Sequence, residues 1–364
     1  MQDVIHTPAD LVERVMTAAI KSETGPGISV KTIPVPVPNP GQALIRVATN
    51  GICGSDIHVY EWIEEYHQFG HLIPFVIGHE VVGHIEIADG NLPDDLTVGD
   101  RVAVAPATSC GTCEFCRNGQ TQRCERRDRL GWELPGGFSD YVVAPVANLY
   151  RLSDNVDERS ASLTEPLAVA VHALRTIGVT PGGRALVLGA GAIGLLAVQV
   201  LRAWGVDDVV LAGTEADRIG GGLGIAERLG ASSVLSSELP ESSLNSFDLV
   251  YVAAGARPAL EVAVAAVRRG GSIVVSGLGI GGVGLDFDRL VRREIRLSGA
   301  YGSSSTDWVE AVRLLDSGAV KDSGIVSHTF GVGEAERAFQ ALVGREARKV
   351  TIVPGSGTTE VKGN

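Results

Sequence analysis

Residues 185–201 read ALVLGAGAIGLLAVQVL. An apolar run leads into glycines, and a second apolar run follows. The stretch is short for a membrane-spanning helix, and its glycines and Gln199 interrupt it. It reads instead as a strand, a tight turn and a helix. In that setting Gly189-Ala190-Gly191-Ala192-Ile193-Gly194 has the form of a dinucleotide-binding turn. Gly189 makes the turn, Gly191 lets a pyrophosphate approach the backbone, and Gly194 lets helix and strand pack closely. The helix start turns unpaired N–H groups and its positive dipole end toward the phosphates. NAD or NADP is the expected cofactor.

Outward from this turn the same pattern repeats. Apolar runs bounded by turn residues begin near 208, 232, 248, 272 and 295, with helix-period stretches such as IGLLAVQVLRAWG and PALEVAVAAVRRG among them. Strands alternating with helices imply an α/β fold with a doubly wound parallel sheet. An acidic residue gripping the ribose of NAD is expected where the strand DVVLA ends, and Gly213 stands there, followed by Thr214, Glu215 and Arg218. Gly213 removes a repulsion against a 2′-phosphate and Arg218 can pair with one, whereas Glu215 pulls the other way. The balance leaves both cofactors open and leans slightly to NADP.

Upstream, residues 28–150 are rich in valine, proline and glycine in short runs, among them ISVKTIPV, QALIRVA, HEVVGHIEIA, DRVAVAP and FSDYVVAP. These read as strands, hence a mostly β domain. The length of 364 residues allows two domains, and 45% hydrophobic with 20% charged residues is a globular composition. A net charge of −12 argues against nucleic acid or an anionic membrane as partner. The N-terminus lacks the basic start and apolar run of a signal peptide. A cytoplasmic, reducing setting is therefore expected, in which clustered cysteines are metal ligands rather than disulfides.

Four of the five cysteines lie in CGTCEFCRNGQTQRC, residues 110–124, spaced by two, two and seven residues. Thiolates this close converge on one ion, and four of them in tetrahedral array suit zinc. A bacterial ferredoxin run needs three residues before its last cysteine and then proline; here Glu125 follows Cys124. Four cysteine ligands leave no open coordination position, so this cluster is expected to be a structural clip. Chemistry is expected at Cys53 instead, in GICGSDIHVYEW, with His79 and Glu80 in GHE and Glu165 in LTEPLAVAVHA. Taken singly these are a small buried thiol, a core histidine and a carboxylate at a helix start. Taken together, thiolate, imidazole and carboxylate make a set that binds catalytic zinc with a position left for substrate.

The ordered set GICGSDIH, GHE, CGTCEFCRNGQTQRC, GGFSDYV, TEPLA and GAGAIG resembles the zinc-dependent medium-chain dehydrogenases, from about Met16 to Pro354. Within that family, CGSDIHVYEW and GAYGSSSTDW are similar to the threonine type and TEPLAVAVHA to the sorbitol type. The resemblance implies a GroES-like β-rich catalytic domain over 1–164, with 1–15 as an extension, and a Rossmann domain over 165–302. Residues 303–364 then return to the catalytic domain. It implies two zinc ions per chain: a catalytic one on Cys53, His79 and Glu80, Glu165 or both, and a structural one on Cys110, Cys113, Cys116 and Cys124. It also implies a homo-oligomer, dimer or tetramer, and a small alcohol as substrate.

Between the two glutamates, adjacency decides the expectation. Neighbouring residues of an extended strand point to opposite faces, so His79 and Glu80 reach one ion only if the backbone bends. Glu165 has no such conflict, and Cys53, His79 and Glu165 are the expected resting ligands. Ser55 is expected to take the hydroxyl proton of the alcohol and His58 to pass it to water. Asp56 is a candidate to hold the other nitrogen of His79; His84 and His172 read as structural. The rival readings are a cofactor-binding redox sensor without catalysis and an iron–sulfur electron carrier.

Overall fold

The computed structural model describes residues 11, 13–90, 92–279, 281 and 284–355. Two compact units emerge: Met1–Glu165 with Val326–Asn364, and Pro166–Ile325. Of the expected extension, residues 1–10 and 12 lie outside the described residues. Leu11 is buried in a cluster with Met16, Val35, Leu44 and Ile87.

In the first unit the strand Gln42–Gly51 is the hub. It pairs antiparallel with Glu80–Ala88, Tyr141–Pro145 and Val350–Val353. Its β-branched and apolar residues suit a strand covered on both faces. Ile45 and Val47 join Val81, Ile85, Val102 and Val104 in one core. Val350–Val353 closes the unit from the far end of the chain and pairs in parallel with His328–Gly331. A smaller sheet holds Ser29–Pro34, Val15–Lys21 and Phe75–Val76.

The second unit is a six-stranded parallel sheet. Its strands lie in the order Ser232–Leu235, Asp208–Gly213, Arg184–Leu188, Phe247–Val252, Val267–Val275 and Arg296–Gly299. In chain order this is 3-2-1-4-5-6, the doubly wound arrangement with its reversal beside the first strand. The helix Ala192–Ala203 is buried along most of its length, from Gly194 to Leu201. The helical stretch expected through residue 270 stops at Ala266, and Val267 opens a strand. The cause is visible at the helix end. Asn245 and Ser246 donate their N–H groups to Ala265 and Ala266, and Arg289 donates to the Val264 carbonyl, so the last carbonyls are already satisfied.

The return to the first unit falls at Val326 rather than at residue 303. The helix Ser305–Asp316 is retained in the second unit by a buried polar knot. Asp307 accepts hydrogen bonds from Ser304 N–H (2.8 Å) and Oγ (2.6 Å) and lies 2.8 Å from His172 Nδ1 and 3.2 Å from Arg175. Burial pushes the Asp307 carboxyl up, but His172 and Ser304 outweigh it and hold it below 3.8. A carboxyl lowered in the folded state stabilises fully above its unfolded value and loses that stabilisation as pH falls through its folded value. Asp307→Asn should therefore cost about 3 kcal/mol at neutral pH. In urea titrations the gap from wild type should shrink below about pH 4; a gap that is constant with pH would remove the charge from the account.

Candidate active site and metal centres

The dinucleotide turn is built as its glycines require. Gly189 has φ +111°, and a Cβ on Gly194 would lie 1.9 Å from the Gly189 carbonyl oxygen. Gly191 caps the helix Ala192–Ala203 and faces open space, with Ala192 and Ile193 as its first residues. Gly213 ends its strand and Thr214 caps the short helix Glu215–Ile219. Arg218 and Glu215, expected to pull in opposite directions, are joined in an exposed ion pair at 2.6 Å. Asp217, which the sequence reading passed over, accepts from Thr214 N–H at 2.7 Å and Oγ1 at 2.8 Å. Its signal was the spacing T-x-x-D of a capping box.

In the first unit, Cys53 caps the helix Gly54–Glu61. Asp56, on its first turn, accepts from Cys53 N–H at 2.9 Å through Oδ2 and sets Oδ1 3.3 Å from His79 Nδ1. This leaves Nε2 of His79 for a metal. Gly78 has φ +98°, a conformation disfavoured for residues with a side chain, and a Cβ there would strike the Phe138 ring at 2.6 Å. The chain therefore bends at Gly78, and the strand starts only at Glu80, whose N–H is held by Asn50 Oδ1 at 2.9 Å. His79 thus lies outside the strand, where strict alternation with Glu80 does not apply. The donor atoms of Cys53, His79 and Glu80 lie within 4.8 Å of one another. Glu165 is not in that group; it stands at the start of the helix Thr164–Ile177, close enough for its charge to act on His79, Glu80 and Lys349.

Charge in this cluster is organised around Lys349, which is buried, donates to Ile52 C=O at 2.9 Å and is ion-paired with Glu80. Burial would lower its pKa; Glu80, Cys53 and Glu165 outweigh burial and raise it. Burial would also lower the His79 imidazole, but Asp56 and then Cys53 hold it well above 6.5. The Glu165 carboxyl is pushed up to about 7, first by burial and then by Glu80, against the pull of His79. All three shifts favour the protonated form. Sulfur, imidazole and carboxylate donors in such a field match zinc.

Ser55 and His58 both lie on the helix Gly54–Glu61, three residues apart and so on one face. His58 meets the Tyr66 ring edge-on, 5.5 Å between centroids. His84 faces the Gly99 carbonyl at 3.2 Å, a structural contact.

Cys110, Cys113, Cys116 and Cys124 also bring their sulfurs within 4.8 Å of one another. The Cys113–Cys116 and Cys110–Cys116 separations are 3.5 and 4.0 Å. These bracket the edge of about 3.8 Å expected for a tetrahedron with zinc–sulfur bonds of about 2.3 Å. Backbone N–H groups of Thr112 and Cys113 pull the Cys110 thiol down to about 5, while Cys113, against the pull of the Cys116 N–H, is pushed up to about 11 by burial and the neighbouring Cys116, Cys110 and Cys124 sulfurs.

Lys349 and Asn50 were not read as part of the site. A lysine opening the apolar run KVTIVP was the available signal. Lys349→Met would leave the Glu80 carboxylate buried without its cation, and should cost about 3–5 kcal/mol. Adding Glu80→Gln should recover at least half of that loss in denaturant titrations; no recovery would mean the pair does not act as a unit.

The chain is similar to known proteins over most of its length. Residues 39–154 match the alcohol dehydrogenase GroES-like domain and residues 192–317 the zinc-binding dehydrogenase domain. A sorbitol dehydrogenase of Halalkalibacterium halodurans is 33% identical, covering 93% of this chain and 99% of its own. An L-threonine 3-dehydrogenase of Deinococcus deserti is 31% identical, covering 93% and 98%. The crystal structure of a zinc-binding dehydrogenase from Sinorhizobium meliloti bound to NADP has a TM-score of 0.85 at 26% identity, covering 94% and 100%. The chain belongs to the zinc-dependent medium-chain dehydrogenases, the alcohol dehydrogenase family of oxidoreductases acting on CH–OH donors.

Proposed function

We propose that this protein oxidises a secondary alcohol through Ser55 and His58 beside a zinc held by Cys53, His79 and Glu165. The convergence of Cys53 and His79 at the start of the helix that carries Ser55 and His58, with Glu165 close enough for its charge to act on His79, is the observation that supports it. Bound zinc supplies the Lewis acidity that lowers the pKa of an alcohol, and NAD(P) supplies the hydride acceptor. Ser55 Oγ takes the hydroxyl proton, and His58, one turn along the helix, hands it to water. Asp56 keeps His79 in one tautomer and orientation. Glu80, paired with Lys349, lies beside Cys53 and His79 and can enter during exchange. Gly189, Gly191, Ala192, Ile193 and Gly194 cradle the pyrophosphate, and Gly213, Thr214, Glu215 and Arg218 face the adenosine ribose.

A second zinc on Cys110, Cys113, Cys116 and Cys124 clips its own lobe. All five cysteines are free and all are assigned to metal, which suits the cytosol. An open sheet edge at Arg296–Gly299, with Leu297 and Tyr301 exposed beside it, supports a homo-oligomer. No helix among the described residues is long and apolar enough to cross a membrane.

The decisive experiment is metal analysis beside an alcohol panel, followed by the absorbance of the reduced nicotinamide. The panel spans polyols, sugar acids, β-hydroxy amino acids and simple secondary alcohols. We expect about two zinc per chain, and about one in Cys113→Ser, which should also lose stability. Glu165→Gln should lose catalytic zinc, while Glu80→Gln should keep it and lose turnover; the reverse pattern would exchange the two roles. For the cofactor, Arg218→Ala should weaken NADP more than NAD by about tenfold if Arg218 leaves Glu215 to meet a 2′-phosphate. Equal losses for both would take Arg218 out of the site.

A further inference from the structure

In the second unit a pocket opens at the rim of the parallel sheet where its strands begin, under the turn at residues 178–183. It encloses about 400 Å³, counted to its open mouth. The dinucleotide turn lies at the opposite rim: Arg184 and Ala185 open the strand that ends at Leu188, just before Gly189. The floor of the pocket is a single row across four strands. Ala185 pairs with Leu249, Leu249 with Ser272 and Ser272 with Arg296. Residues in register point to one face of a sheet, so Ser272 and Arg296 stand side by side on strands about 4.8 Å apart.

Two of the three arginines that line the pocket are already engaged. Arg184 is ion-paired with Asp208 at 2.9 Å and donates to Ser246 Oγ at 2.8 Å. Arg268 Nε is ion-paired with Asp248 at 2.6 Å. Asp248, the one carboxylate among the lining residues, also accepts the Arg184 N–H at 2.7 Å. That N–H first, and then Arg268, hold its carboxyl below the usual carboxylate range against the effect of burial. Arg296 is different: it is exposed, and among the described residues its guanidinium has no hydrogen bond or ion pair. Ser272 is 4% exposed and lines the pocket, and its hydroxyl likewise has no partner among the described residues. More cations stand behind the rim. Gly270 donates its N–H to the Arg293 carbonyl at 2.8 Å, and the Arg293 guanidinium is pushed down by burial and then by Arg289 and Arg269. In a chain of net charge −12 this corner is locally basic.

An unpaired guanidinium beside a buried, unpartnered hydroxyl is a donor set that lacks its acceptor. A phosphate group fits it: two oxygens meet the planar fork of Arg296 and a third accepts from Ser272. A carboxylate that fills the fork has no third oxygen for the hydroxyl. We propose that this pocket binds a phosphate group, free or as the monoester of a small metabolite, between Arg296 and Ser272. Side chains stand perpendicular to a sheet, whereas a second copy joining the edge strand would use N–H and C=O groups in its plane. The site and the proposed edge pairing therefore do not compete.

The test is calorimetric titration of the zinc-loaded full chain with inorganic phosphate and with glycerol 3-phosphate, at about 0.15 M salt. The protein is first saturated with whichever of NADH and NADPH it binds more tightly, so that the dinucleotide turn is filled. We expect one saturable site per chain. Arg296→Ala should weaken it at least about tenfold and Ser272→Ala about threefold. Arg296→Lys, which keeps the charge but loses the fork, should recover only part of the loss. Arg296 is exposed and Ser272→Ala removes a single oxygen, so both variants should fold. Either anion binding at this site bears out the proposal, and the tighter of the two tells whether the free ion or the monoester is the occupant. No saturable binding of either, or binding unmoved by both Arg296→Ala and Ser272→Ala, would overturn it.

Discussion

The ammonium of Lys349 lies buried between the carboxylate of Glu80 and the carbonyl of Ile52. Residue 349 follows residue 52 by 297 positions, so this contact ties the end of the chain to the segment that delivers Cys53. The strand that begins at Val350 pairs with the last residues of the hub, Ile352 opposite Asn50 and Thr351 opposite Gly51. Charge and register therefore fix each other. A slip of one residue would turn the lysine to the other face and leave Glu80 without a cation. Such a pair adds little net stability over an apolar replacement, because both charges lose water. What it supplies here is position: a carboxylate held at a defined place beside a thiol and an imidazole.

The two proposed metal centres are built in opposite ways. The cysteine lobe is local, with four sulfurs drawn from residues 110–124 and shaped by a one-turn helix, a short 3-10 segment and a two-residue strand pair. The other centre collects Cys53, His79, Glu80, Glu165 and Lys349 from four separated regions. Each is placed by something outside its own motif: Asp56 sets a carboxylate oxygen 3.3 Å from His79, Asn50 fixes the start of the Glu80 strand, and Gly78 supplies the left-handed turn that leads into both. The first centre needs only its loop; the second needs the whole unit folded.

The second unit carries its function at a turn and its integrity in a knot. Gly189 and Gly194 let strand and helix close to van der Waals contact, which leaves the helix start open above them. Asp307 binds the late helix Ser305–Asp316 to His172 and Arg175 on the helix Thr164–Ile177. That tie keeps this helix in the second unit, which runs to Ile325 and not to the residue 302 that the resemblance implies.

By itself the sequence determined whatever depends on short spacing. The glycine turn, the strand–helix alternation of the second unit, the strands of the first and the convergence of Cys110, Cys113, Cys116 and Cys124 all follow from neighbours a few residues apart. Cys53, His79 and the two glutamates were also legible as a chemical set, because thiol, imidazole and carboxylate together suit a metal better than any separate role. Only the tertiary structure decided how that set is arranged. That Glu80 and His79 donors meet depends on where the strand begins, and Asn50, thirty positions upstream of Glu80, fixes that point. The counter-charge of Lys349 depends on a contact between segments far apart in the chain. Periodicity reports which face of an element is apolar. It does not report which distant element will cover that face, and that is where this site is made.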